Sequence, residues 1–128
     1  MKYVYPVILS PAKTGYVVSV PDLDIDTQGT DIADALYMAR DAIGLWGITQ
    51  QDYKREIPIA TNFKPQCGKN EIVALVDIDF DAYRIRYDNR SIRKNLTIPA
   101  WLNDLAEKEN INFSQILQKS LKEQLNIQ

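Results

Sequence analysis

A chain of 128 residues, 45% hydrophobic and 25% charged, is long enough for one ordinary domain or two small ones and too apolar for overall disorder. Its single cysteine, Cys67, cannot close an internal disulfide, and with no histidine neither a Cys/His zinc site nor imidazole acid–base chemistry is available, which removes most hydrolase schemes. The net charge of −2 hides an uneven distribution: residues 1–88 carry nine Lys/Arg against thirteen Asp/Glu, and residues 89–128 six against four. An acidic body suits a basic partner, and a mildly basic tail suits nucleic acid.

The first elements read as a small α+β unit. KYVYPVIL (2–9) and GYVVSVP (15–21) are rich in β-branched and aromatic residues and are joined through SPAKTG, so they predict a hairpin with Gly15 in its turn. Both faces of the first strand are apolar, which places it inside a sheet. After LDIDTQG, residues 31–47 put Ile32, Ala35, Leu36, Ala39, Ile43 and Trp46 on one helical stripe, with Thr30 or Asp31 available as the N-cap. Residues 48–70, broken by Pro58, Pro65 and Gly68, read as a short helix or turn followed by loop. EIVALVDIDF (71–80) alternates Ile72, Ala74, Val76, Ile78 and Phe80 as a last strand before the charged connector YDNRS. No apolar run approaches the roughly 20 residues of a bilayer span. MKYVYPVILSPAKTG also lacks a leader's small-residue cleavage site, so a cytoplasmic protein with no membrane partner is expected.

The tail, residues 91–128, poses a different problem. SIRKNLTI (91–98) alternates Ile92, Lys94, Leu96 and Ile98 with Ser91, Arg93, Asn95 and Thr97, Pro99 ends it, and two short helices follow, from about Ala100 to Glu109 and from about Ser114 to Asn126. Roughly 40 residues cannot bury a self-sufficient core. A lone strand also leaves its ladder groups unpaired, so the expected partner is the same strand of a second chain: a homodimer, with pairing of dimers into a higher oligomer left open. In such a ribbon Ile92, Leu96 and Ile98 pack down on the helices, and Arg93, Asn95 and Thr97 stand up from the other face. A two-stranded ribbon fits the major groove, where arginine reads guanine and asparagine reads adenine through paired hydrogen bonds. A helix that starts at Ser114, capped by its hydroxyl, would present backbone N–H groups to a phosphate.

RKNLTIPAWLNDLAEKENINFSQILQKSLKEQL resembles a ribbon-helix-helix DNA-binding domain. The front of the chain, YPVILSPAKTGYVVSVPDLDIDTQGTDIADALYMARDAI, resembles the HicB family of antitoxins through a strand pair, a Pro-Asp-Leu corner at Pro21, Asp22 and Leu23, a Thr-x-Gly step at Thr27 and Gly29, and an alanine-rich helix with Ala33, Ala35, Leu36 and Ala39. The resemblance implies a partial RNase H-like domain over residues 1–87 that masks HicA, a small basic RNA-cleaving toxin. It further implies a linker at 88–90 and a ribbon-helix-helix domain at 91–128 that dimerises and represses the operon at operator DNA. By the same carry-over, Arg93, Asn95 and Thr97 are base readers and Ser114 a phosphate contact. The chain is then not an enzyme and needs neither cofactor nor metal.

Toxin contacts do not carry over from a motif, so the candidates come from the residues. Asp22, Asp24, Asp26, Asp31 and Asp34 crowd residues 22–34 with no basic neighbour, and Asp77, Asp79 and Asp81 alternate at the end of the last strand. Asp22, Leu23, Asp24, Asp26, Asp77 and Asp79 are therefore the expected toxin surface, steering a basic cleft by charge. Two rival readings use the same part of the chain. Asp22, Asp24 and Asp26 with Asp77 and Asp79 could gather two Mg²⁺ ions as a nuclease does, or Tyr3, Tyr5, Tyr16 and Tyr37 could line a pocket through which a repressor senses a small molecule.

Overall fold

The computed structural model describes residues 1–127. Its chain divides into two units, Met1–Arg90 and Ser91–Gln128. The first is α+β, with elements in the order β1 (Lys2–Pro11), β2 (Tyr16–Val20), β3 (Ile25–Gly29), α1 (Ile32–Asp52), β4 (Ile72–Asp79) and α2 (Phe80–Tyr87). The second holds α3 (Ala100–Lys108) and α4 (Phe113–Gln124). Among the described residues, no helix is long and apolar enough to cross a membrane.

The four strands form one antiparallel sheet in the order β3-β2-β1-β4, so the doubly apolar first strand is interior, as its sequence predicts. Its hairpin with β2 closes at Gly15, whose φ of +96° is open to glycine at little cost. Pro6 stands opposite Leu75 of β4, whereas pairing with β2 covers only Ile8–Pro11, so no ladder bond to β2 is lost at the proline. The strand β3 was not among the predicted elements: the polar IDTQG becomes a strand through its pairing with Tyr16–Val20.

Helix α1 starts where expected, with the Asp31 carboxylate accepting from the Asp34 amide at 2.7 Å. It runs five residues beyond the predicted end, to Asp52. Ala35, Ala39 and Ile43 press on the strand face made by Tyr5, Val7, Leu9, Val18, Val20, Val76 and Ile78, and together they form the core. Each fully buried branched side chain contributes roughly 1.5–3 kcal/mol. Ile32, placed on the buried stripe by its spacing, is instead exposed at the first turn, and Trp46 is half-buried.

Helix α2 was missed, and Phe80 lies in it rather than in β4. Asp79 ends the strand and caps the helix, its Oδ1 accepting from the amides of Asp81 and Ala82 at 3.1 and 3.2 Å. Room for α2 comes from two glycines on α1. A Cβ on Gly47 would lie 2.0 Å from the Phe80 ring, and one on Gly44 would lie 2.4 Å from the Tyr83 ring.

Residues 88–90 are tied to this unit by charge. Arg84 bonds the Ile48 carbonyl at 3.0 Å, Gln51 at 3.1 Å and Asp88 at 2.9 Å, and pairs with Asp52 at 3.1 Å. Arg90 joins the same two carboxylates, Asp52 at 3.0 Å and Asp88 at 2.9 Å. Hydrogen bonds from Arg90, then from Arg84, hold the Asp88 carboxyl well below the usual range, and Asp88 in turn raises Arg90.

Candidate partner-binding surfaces

The second unit consists of short, well-terminated helices with nothing buried in either. Both end on an asparagine in the left-handed region, Asn110 and Asn126, and the next residue returns a backbone bond into the last turn, from Ile111 to Ala106 and from Ile127 to Lys122. Leu102 and Leu105 of α3, and Ile116, Leu117 and Leu121 of α4, are exposed, as are Leu96 and Ile98 ahead of them. Apolar residues at helical spacing with no cover make an exposed apolar face, the kind of surface that marks interaction sites.

Residues 91–98 form neither helix nor strand within the single chain, and all are exposed. The strand read from their alternation needs a second strand to pair with, and one copy of this sequence supplies only one. Arg93, Asn95 and Thr97 fall at alternate positions of this exposed segment. Ser114 does not cap α4. The helix begins one residue earlier, at Phe113, and the cap is Asn112, whose side chain accepts from the Gln115 amide at 3.1 Å. Ser114 therefore sits inside the first turn, beside the free N–H groups rather than ahead of them. The sequence reading chose Ser114 as the cap and passed over Asn112, two residues earlier, whose side chain takes that role.

In the first unit the acidic candidates separate. Asp24 and Asp26 are exposed, Asp24 with a φ of 53° in the turn before β3 and Asp26 on β3 itself. Asp22 is half-buried: Thr61 donates to its Oδ1 at 3.5 Å, and its Oδ2 is buried without a partner. Leu23 is a correction. It is 7% exposed and belongs to the core, so the Pro-Asp-Leu corner anchors the turn from inside and offers that side chain to no partner.

Asp77 and Asp79 lie on β4, at the opposite edge of the sheet from β3. Three strand spacings of about 4.8 Å put roughly 14 Å between the two acidic groups. That distance removes the two-metal arrangement, and no group of three or more potential ligands capable of holding a metal occurs among the described residues. Both β4 carboxylates already have partners. Arg40 reaches from α1 to the Asp77 side chain and carbonyl, each at 2.9 Å, and that guanidinium lowers the Asp77 pKa. The Asp79 pKa is lowered by the Ala82 amide first.

Of the four tyrosines of the sensor reading, Tyr3 and Tyr5 stack on each other with centroids 6.1 Å apart, and Tyr16 packs against the core. The Tyr5 hydroxyl donates to the Pro58 carbonyl, and burial pushes its pKa up to about 12. Tyr37 lines an open groove of about 310 Å³ between α1 and α2 that it shares with Arg40, Asp41, Tyr83, Arg86 and Tyr87, and Tyr3 lines a separate open cavity with Gln51, Arg55 and Ile57, so the four do not share one pocket. The Tyr83 hydroxyl donates to Asp41 at 3.0 Å, and burial followed by that bond raises its pKa to about 12.

A family model described as HicB-like antitoxin of bacterial toxin–antitoxin system matches residues 5–123. No curated protein matches. Among solved structures, the chain is similar to one in a toxin–antitoxin complex from Streptococcus pneumoniae, with 22% identity and a TM-score of 0.60 over 97% of this chain and 99% of that one. It is also similar to the antitoxin HicB of Burkholderia pseudomallei, with 22% identity and a TM-score of 0.54 over 95% and 98%. At such identities the likeness establishes the fold, an α+β chain matched along nearly its whole length.

Proposed function

Because the chain belongs to the HicB-like antitoxin family of bacterial toxin–antitoxin systems, we propose that it binds and neutralises a small, basic, RNA-cleaving toxin through residues 1–87. In the same proposal, residues 91–128 repress the operon encoding both proteins. The family match carries this reading, since residues 5–123 include parts of both units. A solved relative described as part of a toxin–antitoxin complex supports a toxin partner here.

The geometry supports the division of labour. The uncovered apolar positions of residues 91–127 suit a homodimer in which two copies of SIRKNLTI pair as an antiparallel ribbon over α3 and α4. Arg93, Asn95 and Thr97 of each copy would then face the major groove, with the first turn of α4, Ser114 included, against the backbone phosphates. The acidic first unit repels nucleic acid and attracts a basic protein. In this proposal it acts by masking the toxin, as the family match suggests.

The test is to co-express the chain with the protein encoded beside it and to follow RNA cleavage by that neighbour, alone and with this chain added. Loss of cleavage in a stoichiometric complex is the expected result. Undiminished cleavage with no complex would leave a DNA-binding regulator whose first unit answers to another signal.

A further inference from the structure

The sheet of the first unit has helix α1 on one face only, and its register says what lies on the other. Tyr5, Val7 and Leu9 turn toward α1, so the neighbours Val4, Pro6 and Ile8 turn away. Pairing of Val4 with Asp77, Pro6 with Leu75 and Ile8 with both Val73 and Ser19 places those residues on the same outer face. Ser10 opposite Val17 adds Val17, and Ser19 opposite Asp26 adds Asp26 at the β3 edge. A solvated face of an antiparallel sheet normally alternates to polar residues. This one instead carries an apolar stripe, closed over Pro6 but open on either side of it: Val4 is 36% exposed, Val17 42% and Leu75 57%.

The border of the stripe is charged unequally. On the β4 side Asp77 is held by Arg40, Asp79 caps α2, and Lys2 stands opposite Asp79. On the β3 side Asp26, with Asp24 just before the strand, makes no ion pair among the described residues. An apolar centre with an unpaired acidic border on one side is the anatomy of a protein interface, and its charge selects a basic occupant. We infer that this open sheet face, centred on Val4, Val17 and Leu75 and bordered by Asp24 and Asp26, is where the first unit takes the basic toxin. The inference rests on the antitoxin reading and adds to it the surface, which differs from the Pro-Asp-Leu corner and from the α1/α2 groove.

The experiment measures binding of the full chain to the neighbour-encoded protein by titration calorimetry, for wild type, Leu75→Lys, Val17→Lys, Asp24→Asn with Asp26→Asn, and Leu45→Lys. Leu45 lies on α1, away from this face, and at 56% exposure is a control for a lysine placed on an exposed leucine. The face predicts that Leu75→Lys and Val17→Lys each weaken the complex about tenfold or more, with operator binding and thermal unfolding retained. It also predicts that the double Asn variant slows association and flattens its salt dependence, and that Leu45→Lys binds as wild type. Wild-type affinity in both lysine variants overturns the inference and leaves the antitoxin reading standing. A change in the oligomeric state of the free protein with Leu75→Lys, at unchanged toxin affinity, makes the face a self-contact and overturns it too. Failure of the wild-type chain to bind its neighbour removes the antitoxin reading, and the inference with it.

Discussion

The two units of this chain satisfy the same hydrophobic requirement in opposite ways. Residues 1–90 bury Tyr5, Leu9, Ile43 and Phe80 completely within one chain. Residues 91–127 place leucines and isoleucines at comparable spacing and leave them in solvent. Marginal stability leaves little room for such exposure. The difference teaches that the first unit buries its own core within one chain, whereas the second leaves its apolar positions uncovered, as the proposed homodimer requires. On that proposal the stability of the second depends on protein concentration, and that of the first does not.

Leu96→Asp puts the greatest strain on this contrast. In one chain Leu96 is 63% exposed and the change costs almost nothing. In the proposed dimer it buries an unpaired charge, so dimerisation and operator binding are lost together while unfolding of the first unit is unchanged. Analytical ultracentrifugation with a DNA gel-shift checks it, and a variant that stays dimeric on DNA would mean the ribbon register is wrong. Phe80→Ala tests the other side. It empties the space that Gly47 keeps clear and is expected to cost about 3–5 kcal/mol in thermal unfolding of the first unit, independent of concentration. A midpoint that rises with concentration would erase the distinction between the units.

Finer changes sharpen the second unit's role. Arg93→Ala is expected to weaken operator binding by about 1–3 kcal/mol and to relax base preference at one position, read by titration against a panel of operator variants. Unchanged affinity would take Arg93 out of the readout. Asn112→Ala removes the α4 cap and is expected to cost about 1 kcal/mol of dimer stability, whereas Ser114→Ala spares the cap and affects only DNA affinity. If the two variants exchange effects, the helix starts at Ser114 after all.

How much of this was legible follows from which signals are local. The β1–β2 hairpin, α1 and β4 were readable because their apolar periods are strong and their caps and turn residues stand in place. Strand β3 was not, since Ile25–Gly29 has a polar sequence and owes its conformation to the strand beside it. Helix α2 was hidden because Phe80 continues the alternation of Ile72 through Ile78. The signals that could have found it were Asp79 as a cap and the Gly44 and Gly47 pair that makes room on α1. Leu23 was mistaken for surface because it is flanked by aspartates, although a leucine in an acidic turn is more naturally its anchor. The apolar outer face was visible in the first strand, whose two apolar sides were read only as burial within a sheet. Position inside the sheet accounts for the strand's edges, and the outer face of Val4 and Ile8 needs a separate reason.

The smallest expected effect is on pH. Asp88, Asp77, Asp79 and Glu71 of the first unit all have lowered pKa values, through Arg90, Arg40, the Ala82 amide and the Ser10 hydroxyl respectively. A carboxylate whose folded pKa lies below its unfolded value of about 3.9–4.3 holds fewer protons folded than unfolded, so its contribution is fully present above that value and is lost as pH falls through the folded pKa. Thermal unfolding of the full chain should therefore be flat from about pH 5 to 7 in the first unit's transition and decline below about pH 4. Asp88→Asn should make that decline shallower, because the carboxylate shared by Arg84 and Arg90 is then gone at every pH. An unaltered acid slope in Asp88→Asn would mean that residues 88–90 are held to α1 by something other than these ion pairs. It would also loosen the boundary at Arg90 from which the comparison of the two units begins.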